Sequence, residues 1–363
     1  MQIMTNSRQT AFRACRRLHH YRYELLRRPI VVARPLAVGS LVHVGLEAWW
    51  SWFLPEAAGG KRAASPYDAA AEAMAARLAK RRPDDAEISP FNVAAAEAML
   101  IGYDARWCVD VAENWEVIAV EAPFATALIN PDTGRASQSY RLAGKMDAIV
   151  RRRADGHEGI VEHKTTASGI EPGSSYWPKL RMDAQVSTYY AGARSIGFDP
   201  RFVLYDVLSK PSQEPRKATP VADRKYRKTD GALYAKQREN DETPAEYRDR
   251  ILADVREDPN GYYARAEVIR TESELLEHAW DVWQTTKSLH ETRLSGRHSR
   301  NPDACWSYHR ACDYWSVCTG SASISDDYLF RTSKSAHEEL ATEEAAVAAA
   351  AAAAREEELY VVP

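Results

Sequence analysis

The fold is decided by two strand-like segments, LAGKMDAIV at residues 142–150 and GIVEHKTT at residues 159–166. The stretch between them is polar and contains the turn pair Asp155-Gly156. Two apolar runs joined by such a turn predict an antiparallel hairpin. Because most residues at 148–150 and 160–161 are apolar, we expect this hairpin to lie in the core of the protein.

The hairpin carries acidic and basic side chains in a pattern that indicates a metal site. Side chains alternate along a strand, so Glu162 and Lys164 share one face and His163 points to the other. If Asp147 faces the same way as Glu162, the two carboxylates can hold a hard divalent cation such as Mg²⁺. A lysine beside them can position an attacking water, which is the equipment for metal-assisted phosphodiester hydrolysis. The alternative is a network of surface salt bridges on an edge hairpin.

Composition restricts the class of protein. The chain has 363 residues, 45% of them hydrophobic, which is enough for one large domain or two modest ones. Its formal net charge is −3, so any attraction to nucleic acid must come from local patches. No run approaches the ~18 apolar residues of a membrane span, and the start lacks a hydrophobic signal region. Five cysteines are too few for a secreted disulfide scaffold, so we expect a cytoplasmic protein.

The order of predicted elements favours an α+β protein with a central mixed sheet flanked by helices. Helices are expected at residues 10–28, 38–53, 69–80, 93–114, 182–196, 244–255 and 272–292. Strands are expected at residues 116–125 and 201–208, in addition to the hairpin.

One domain is expected over residues 1–335, followed by an Ala/Glu-rich tail at residues 336–363 that is solvated or disordered. Residues 210–238 contain nine Lys or Arg against three acidic residues, which predicts an irregular basic arm. The expected parts of the domain are an N-terminal helical part (10–115), a catalytic core (116–209), a basic insertion (210–255), and C-terminal helices with a cysteine cluster (256–320).

Four cysteines form a candidate metal or cluster site. Cys305, Cys312 and Cys318 have the spacing C-x6-C-x5-C, and Cys15 lies in a basic, aromatic-rich segment near the N-terminus. Thiolates are soft ligands, so four of them in a cytoplasmic protein predict an iron–sulfur cluster or a structural zinc. The spacing does not choose between the two. Cys108 fits a small buried side chain.

Two further polar pairs share a helix face because they are four residues apart: His43 with Glu47, and Gln185 with Tyr189. The histidine could complete a metal shell begun by the hairpin, and the glutamine could bind a phosphate or orient the site. Each pair is also explained by an ordinary polar contact on a helix surface.

Taken together, these motifs resemble the PD-(D/E)XK nuclease superfamily, and within it the RecB-like branch that carries an iron–sulfur cluster. That branch includes CRISPR-associated, AddB-type and phage-encoded nucleases. The motifs occur in the family's order: Cys15, His43, G-x-x-D (Gly144 to Asp147), E-x-K (Glu162 to Lys164), Q-x-x-x-Y (Gln185 to Tyr189), and the three terminal cysteines. The interval C-x6-C is wider than in many CRISPR-associated members, which favours a phage-type or stand-alone relative.

The resemblance implies a restriction-endonuclease-like core with two cofactors. Mn²⁺ or Mg²⁺ would be bound by His43, Asp147, Glu162 and the backbone carbonyl of His163. Lys164 would activate or orient the attacking water. Gln185 and Tyr189 would support the site and the DNA backbone. A 4Fe–4S cluster would link the two ends of the chain through Cys15, Cys305, Cys312 and Cys318.

The activity implied is that of a DNA exonuclease acting on single strands or duplex ends, working with recombination, CRISPR or phage replication proteins and without a membrane. Candidate DNA-binding residues are Arg16, Arg17, Tyr21, Lys225, Arg227 and Lys228, with Tyr23, Tyr226 and Tyr234 as possible stacking partners for bases. The alternatives are an endonuclease of the same superfamily and a non-catalytic nucleic-acid-binding module held together by a metal.

Overall fold

A computed structural model describes residues 1–30, 34–55, 62–80, 88–307 and 310–340. The N-terminal elements are β1 (Gln2–Met4), α1 (Asn6–Ala14), α2 (Arg16–His19), a π-helical turn (His20–Glu24), β2 (Arg27–Pro29), α3 (Arg34–Ser51), α4 (Pro66–Ala79) and α5 (Pro90–Asn114). The central elements are β3 (Trp115–Ile129), β4 (Ala136–Arg152), β5 (Glu158–Thr166), α6 (Tyr176–Leu180), α7 (Ala184–Ser195), β6 (Phe202–Ser209) and a 3₁₀ turn (Val221–Asp223).

The C-terminal elements are α8 (Pro244–Glu257), α9 (Pro259–Tyr262), β7 (Tyr263–Val268), α10 (Glu272–Ser295), a 3₁₀ turn (Pro302–Ala304), β8 (Trp306–Ser307), β9 (Arg310–Ala311), α11 (Trp315–Thr319), β10 (Phe330–Thr332) and a 3₁₀ turn (Glu338–Leu340). Among the helices described, none has the length and apolar character to span a membrane.

A six-stranded mixed sheet forms the centre of the fold, as the order of elements predicts. The strand order is β1-β4-β5-β6-β7, and β3 pairs with β4. The β1–β4 and β5–β6 pairs are parallel, whereas β3–β4, β4–β5 and β6–β7 are antiparallel. Strands β1 and β7 come from outside residues 116–209, so the sheet draws on more of the chain than the predicted catalytic core.

Both faces of the sheet are buried, because helices cover each of them. Ala148 and Val150 of β4 belong to a large apolar cluster with α3, α4, α5 and α8. Ile149, the residue between them, belongs to a second cluster with α1, α7 and α10. This alternation is what a pleated strand between two apolar layers requires. Asp147 faces α7, because its charge, like that of Glu162, acts on Tyr189 of that helix and adds to burial in raising the pKa of the tyrosine.

Strand β4 has a gap in its pairing along one edge. β3 follows its other edge over almost the full length. On the edge with the gap, β1 pairs with residues 140–142 and β5 with residues 148–151. Among the strands described, none pairs with residues 143–147 on that edge. Asp147 is the last residue of this gap, so the space beside it on that edge is open to side chains.

Helix α7 packs closely on the sheet because two glycines make room for one phenylalanine ring. A Cβ on Gly192 of α7 would lie 2.6 Å from the ring of Phe124, and a Cβ on Gly144 of β4 would lie 2.7 Å from the same ring. Phe124 is fully buried between them. The position of α7 over β4 therefore depends on the absence of these two side chains.

The predicted helix at residues 10–28 is wrong, because the segment is broken at Cys15. This residue is extended (φ −161°, ψ 119°) and ends α1, and its amide donates to the carbonyl of Ala11. A second helical turn and the π-helical turn follow, and Leu26 has a left-handed backbone with φ 56°. Helix propensity predicts a continuous helix here, but packing against the C-terminal segment overrides it.

The predicted solvated tail begins later than expected. Leu340 is 1% exposed and packs against Ala125 and Ala143 of the sheet. Glu338 accepts hydrogen bonds from Arg331. Residues 337–340 therefore belong to the folded domain, and the prediction is wrong for them because a few packed residues are hidden within a polar, Ala-rich composition. The rest of the tail, residues 341–363, lies outside the described residues.

We expect Gly192→Val to destabilise the protein by about 1–3 kcal/mol, because the new side chain would overlap the Phe124 ring. Ala191→Val, on the exposed side of the same helix, is the matched control and should change stability by no more than about 0.5 kcal/mol. Urea unfolding followed by circular dichroism measures both variants. Equal stability of the two would contradict the packing described here.

Candidate active site

The β4–β5 hairpin brings Asp147 and Glu162 to the same point. The ladder ends with the pair Ala148 and Val161, and Asp147 and Glu162 are the next residue on each strand. The amide of His163, which the ladder no longer uses, donates to Asp147 Oδ2 at 2.8 Å. Residues that oppose each other in an antiparallel pair face the same side of the sheet, so both carboxylates face α7.

Both carboxyl groups are buried, and their electrostatics favour a nearby positive charge. Burial raises the pKa of Asp147 to about 7, and the charge of Glu121 adds to the effect. Burial likewise raises the pKa of Glu162 to about 7, with a contribution from Asp147. Glu162 is 3% exposed, and its Oε2 atom has no hydrogen-bond partner among the residues that the structure describes. Such an oxygen is costly unless a cation or donor satisfies it.

Lys164 is the cation that the chain itself supplies at this point. Its Nζ lies 2.6 Å from Glu162 Oε1 and donates to Gln185 Oε1 at 2.7 Å. Burial by itself would lower the pKa of Lys164, but the charges of Glu162 and Asp183 outweigh it, so the pKa is raised. The ammonium contacts both Glu162 and Gln185, so its position is fixed from two sides.

Helix α7 holds Gln185 and Tyr189 against the carboxylates. Gln185 Nε2 donates to the Tyr189 hydroxyl at 2.6 Å, so the two residues form one chain of hydrogen bonds with Lys164. Asp183 caps the helix by accepting from the Gln185 amide, and it also accepts from the Tyr205 hydroxyl at 2.7 Å. The helix start is therefore tied to β6, which fixes the position of Gln185.

A buried network that the sequence did not indicate supports the opposite face of β5. His163, Asp206 and Arg265 are aligned across β5, β6 and β7. His163 Nδ1 lies 3.2 Å from Asp206 Oδ2, and Arg265 Nε donates to Asp206 Oδ1 at 3.1 Å. Tyr103 of α5 donates to the same carboxylate. Burial opposes ionisation, but the charge of Arg265 outweighs it and holds the pKa of Asp206 well below its usual range.

A third carboxylate, Glu121 on β3, also lies near Asp147. The neighbouring pairs Val120–Ala148 and Ala122–Met146 place it opposite Asp147, and its φ of 52° is left-handed. Its carboxylate forms an ion pair with Lys145. No motif marks Glu121 in the sequence. Only the cross-strand register reveals it, and a strained backbone beside a cluster of charges is typical of functional sites.

His43 approaches the site from α3, the helix on the other face of the sheet. Burial lowers its pKa to about 3, and the positive charges of His163, Lys164 and Lys210 add to this effect. A metal site would need one nitrogen of His43 and one oxygen each of Asp147 and Glu162 within 4.8 Å of one another. These three residues do not meet that condition. The structure therefore brings Asp147, Glu162, Lys164, Gln185 and Tyr189 together, and it places His43 beside this group without closing the predicted ligand set.

Among the described residues, a different group has its potential ligand atoms within 4.8 Å of one another: His20, Glu24 and His298. The two imidazole rings of this group stack, with centroids 3.8 Å apart and planes 15° apart. Nitrogen lone pairs lie in the ring plane, so two stacked rings cannot both direct them at one ion. His20 Nδ1 lies 2.7 Å from Glu24 Oε2, which fits a hydrogen-bonded contact rather than a metal site.

The four predicted cysteines face one small cavity. Cys15, Cys305, Cys312 and Cys318 line it together with Tyr314 and Trp315. All five cysteines of the chain are free. Hydrogen bonds join the two ends of the chain here, because Asn301 donates to the carbonyl of Ala14 and the Arg17 amide donates to the carbonyl of Ser299. The break in the helix at Cys15 therefore brings that residue to the three C-terminal cysteines.

The candidate DNA-binding residues differ in exposure. Arg16, Lys225, Arg227 and Lys228 are exposed, although Arg227 pairs with Asp230. Arg17 is half-buried and donates to the carbonyl of His298, and Tyr21 packs against Tyr314.

The proposed stacking role of Tyr23 is wrong, because its ring is 5% exposed and already packs against His19 and His337. Tyr226 and Tyr234 of the basic arm are 51% and 53% exposed and keep that possibility open.

Comparison with known proteins identifies the family. A family model described as the PD-(D/E)XK nuclease superfamily matches residues 4–319. Comparison with curated proteins gives no match. The solved "Crystal structure of SSO0001" shares 11% identity over 69% of this chain and 84% of that chain, with a TM-score of 0.26, which is too low to support any argument. The mixed sheet flanked by helices fits a restriction-endonuclease-like fold. The chain belongs to the PD-(D/E)XK nuclease superfamily, whose members are nucleases that use divalent metals such as Mg²⁺ or Mn²⁺.

Proposed function

We propose that this protein is a metal-dependent DNA exonuclease that hydrolyses phosphodiester bonds in single strands or at duplex ends. The observation that carries the hydrolytic part is the convergence of Asp147, Glu162 and Lys164, with one buried oxygen of Glu162 left without a partner in the described part of the chain. The preference for DNA ends rests on the resemblance of the motif order to RecB-like nucleases. An endonuclease of the same superfamily is the alternative that the experiment below separates.

The residues present fit a hard divalent cation. Two buried carboxylates with a raised pKa need a positive charge to ionise, and carboxylate oxygens are the ligands that Mg²⁺ and Mn²⁺ prefer. Asp147 and Glu162 would hold the ion, with the carbonyl of His163 and the imidazole of His43 as further ligands. The bound cation would supply activation of water and neutralisation of charge on the scissile phosphate.

Lys164 would orient the attacking water and stabilise negative charge on a phosphate oxygen. Its ammonium is held by Glu162 and Gln185. It is therefore already in position, and little reorganisation is needed when negative charge develops on the phosphate. Gln185 and Tyr189 keep the ammonium in place, because the Gln185 side chain bridges Lys164 and the Tyr189 hydroxyl.

We propose that the four cysteines bind a 4Fe–4S cluster that links the two ends of the chain. The support is that Cys15, Cys305, Cys312 and Cys318 line one cavity although they are almost the full domain apart in sequence. Four thiolates are also the ligand set of structural zinc, and the resemblance favours the cluster. Closing so long a loop would stabilise the folded state and hold the basic segment at residues 16–22 near the domain.

We propose that the exposed cations of the basic arm, Lys225, Arg227 and Lys228, track the DNA backbone together with Arg16 and Arg17. Lysine and arginine side chains neutralise phosphates and release counterions on binding. The arm is anchored, since Glu242 accepts from the Arg216 amide and from the Arg250 guanidinium. The charged side chains of the arm therefore extend from a backbone that is held in place.

Partner proteins of DNA recombination, CRISPR or phage replication would act on the same DNA ends.

Asp147→Asn, Glu162→Gln and Lys164→Met should each lower the rate of DNA cleavage by at least about 100-fold, because each removes charge from the cation or phosphate site. DNA binding should stay within a few-fold of the unmodified protein. Glu116→Gln is the matched control, since this carboxylate is exposed on the same sheet. Cleavage of a labelled oligonucleotide with Mn²⁺ measures the rates, and full activity of all three variants would overturn the assignment.

An exonuclease should shorten end-labelled linear single-stranded DNA and leave circular single-stranded DNA of the same sequence intact. The physical reason is that only the linear molecule offers an end to the site. Gel analysis of both substrates over one time course provides the measurement. Cutting of the circle at the same rate would show an endonuclease, and binding without cutting would show a non-catalytic module.

Anaerobically purified protein should be brown and contain about four iron and four sulfide per chain. Cys312→Ser should lose the colour, whereas Cys108→Ser should retain it because Cys108 lies outside the cavity of the other four. Absorbance and metal analysis provide the readout. Colourless protein with one zinc per chain would exclude the cluster.

A further inference from the structure

Lys210 lies at the edge of the sheet where the candidate active site opens. It follows β6 directly, and its amide donates to the carbonyl of Thr166 at 2.7 Å. This bond continues the parallel pairing of β5 and β6 by one residue beyond Thr166 and Ser209. Because β5 also carries Glu162 and Lys164, Lys210 comes to the same end of the sheet as the candidate catalytic residues.

The side chain of Lys210 is directed toward α3. A Cβ on Gly39 would lie 3.7 Å from Lys210 Nζ and 2.9 Å from Thr165 Oγ1. Gly39 and His43 are one helical turn apart on the same face of α3. The absence of a side chain at position 39 therefore lets the helix approach the strand ends, and Lys210 and Thr165 lie beside this position, one turn from His43. Lys210 is half-buried.

Acidic and basic side chains lie on opposite sides of this end of the sheet, an arrangement that suits the binding of a phosphodiester. The acidic groups Asp147 and Glu162 lie on the α7 side, and Lys164 is held by Glu162 and Gln185. The cationic group of Lys210 lies on the α3 side, beside position 39 of that helix. A DNA strand carries a phosphate at every nucleotide, so a strand with one phosphate at the carboxylates places the next one nearby.

We propose that Lys210 binds the phosphate adjacent to the scissile one and so sets the register of the DNA strand in the site. This proposal rests on the nuclease function proposed above. Lysine acts at phosphates as a point charge, and contact with a phosphate that does not react stabilises substrate and transition state alike. Lys210 therefore contributes to DNA affinity and positioning rather than to the chemical step.

The test compares Lys210→Met with Lys210→Arg, which keeps the charge, and with Lys287→Met, an exposed lysine of α10. Binding of a single-stranded oligothymidylate to the full chain is measured in Ca²⁺ at several salt concentrations. Loss of one phosphate contact should reduce the slope of log K against log salt by about 0.7 and weaken binding about tenfold at low salt. In Mn²⁺, KM should rise by a similar factor while kcat stays within about twofold.

Lys210→Arg and Lys287→Met should keep the unmodified salt slope, and thermal unfolding shows whether each variant folds. If Lys210→Met is unstable, Lys210→Gln replaces it in the same measurements. An unchanged slope in a folded Lys210 variant, or the same loss in Lys287→Met, overturns the proposal while leaving the nuclease function standing. An unmodified protein that neither binds nor cleaves DNA overturns both.

Discussion

The structure depends on two buried carboxyl groups, Asp147 and Glu162, that meet where the β4–β5 ladder ends. Burial raises the pKa of both to about 7, so ionisation of both carboxyl groups at once is unfavourable. Lys164 compensates part of this charge, and within the described ranges one oxygen of Glu162 has no hydrogen-bond partner. A buried acidic pair of this kind favours a further positive charge nearby, which agrees with the metal dependence of the superfamily.

The surrounding fold keeps this unfavourable arrangement in place. The gap in the pairing of β4 leaves Asp147 free to accept the His163 amide. On the opposite face, Asp206 and Arg265 hold β5 through the His163 side chain, and on the near face α7 is fixed by its packing on Phe124. Strained or desolvated groups persist only where the neighbouring structure over-determines them, and here the neighbours come from five strands and several helices.

The ends of the chain are joined at the cysteine cavity and again by the pairing of β2 with β10. The N-terminal strand β1 also completes the central sheet beside β4. The β4–β5 hairpin with the candidate active site is therefore enclosed by segments that are far apart in sequence. Folding of the site requires these long-range contacts, which local propensity does not encode.

The sequence by itself determined the hairpin, the helices after it, and the acidic and basic residues that meet at the site, because strand alternation and helix spacing act over a few residues. The family followed from the order of the motifs. Only the tertiary structure showed the break at Cys15, the packing of Leu340, and the roles of Glu121, Asp206 and Arg265. Those features depend on strand register and contacts between distant segments, and no local pattern specifies either.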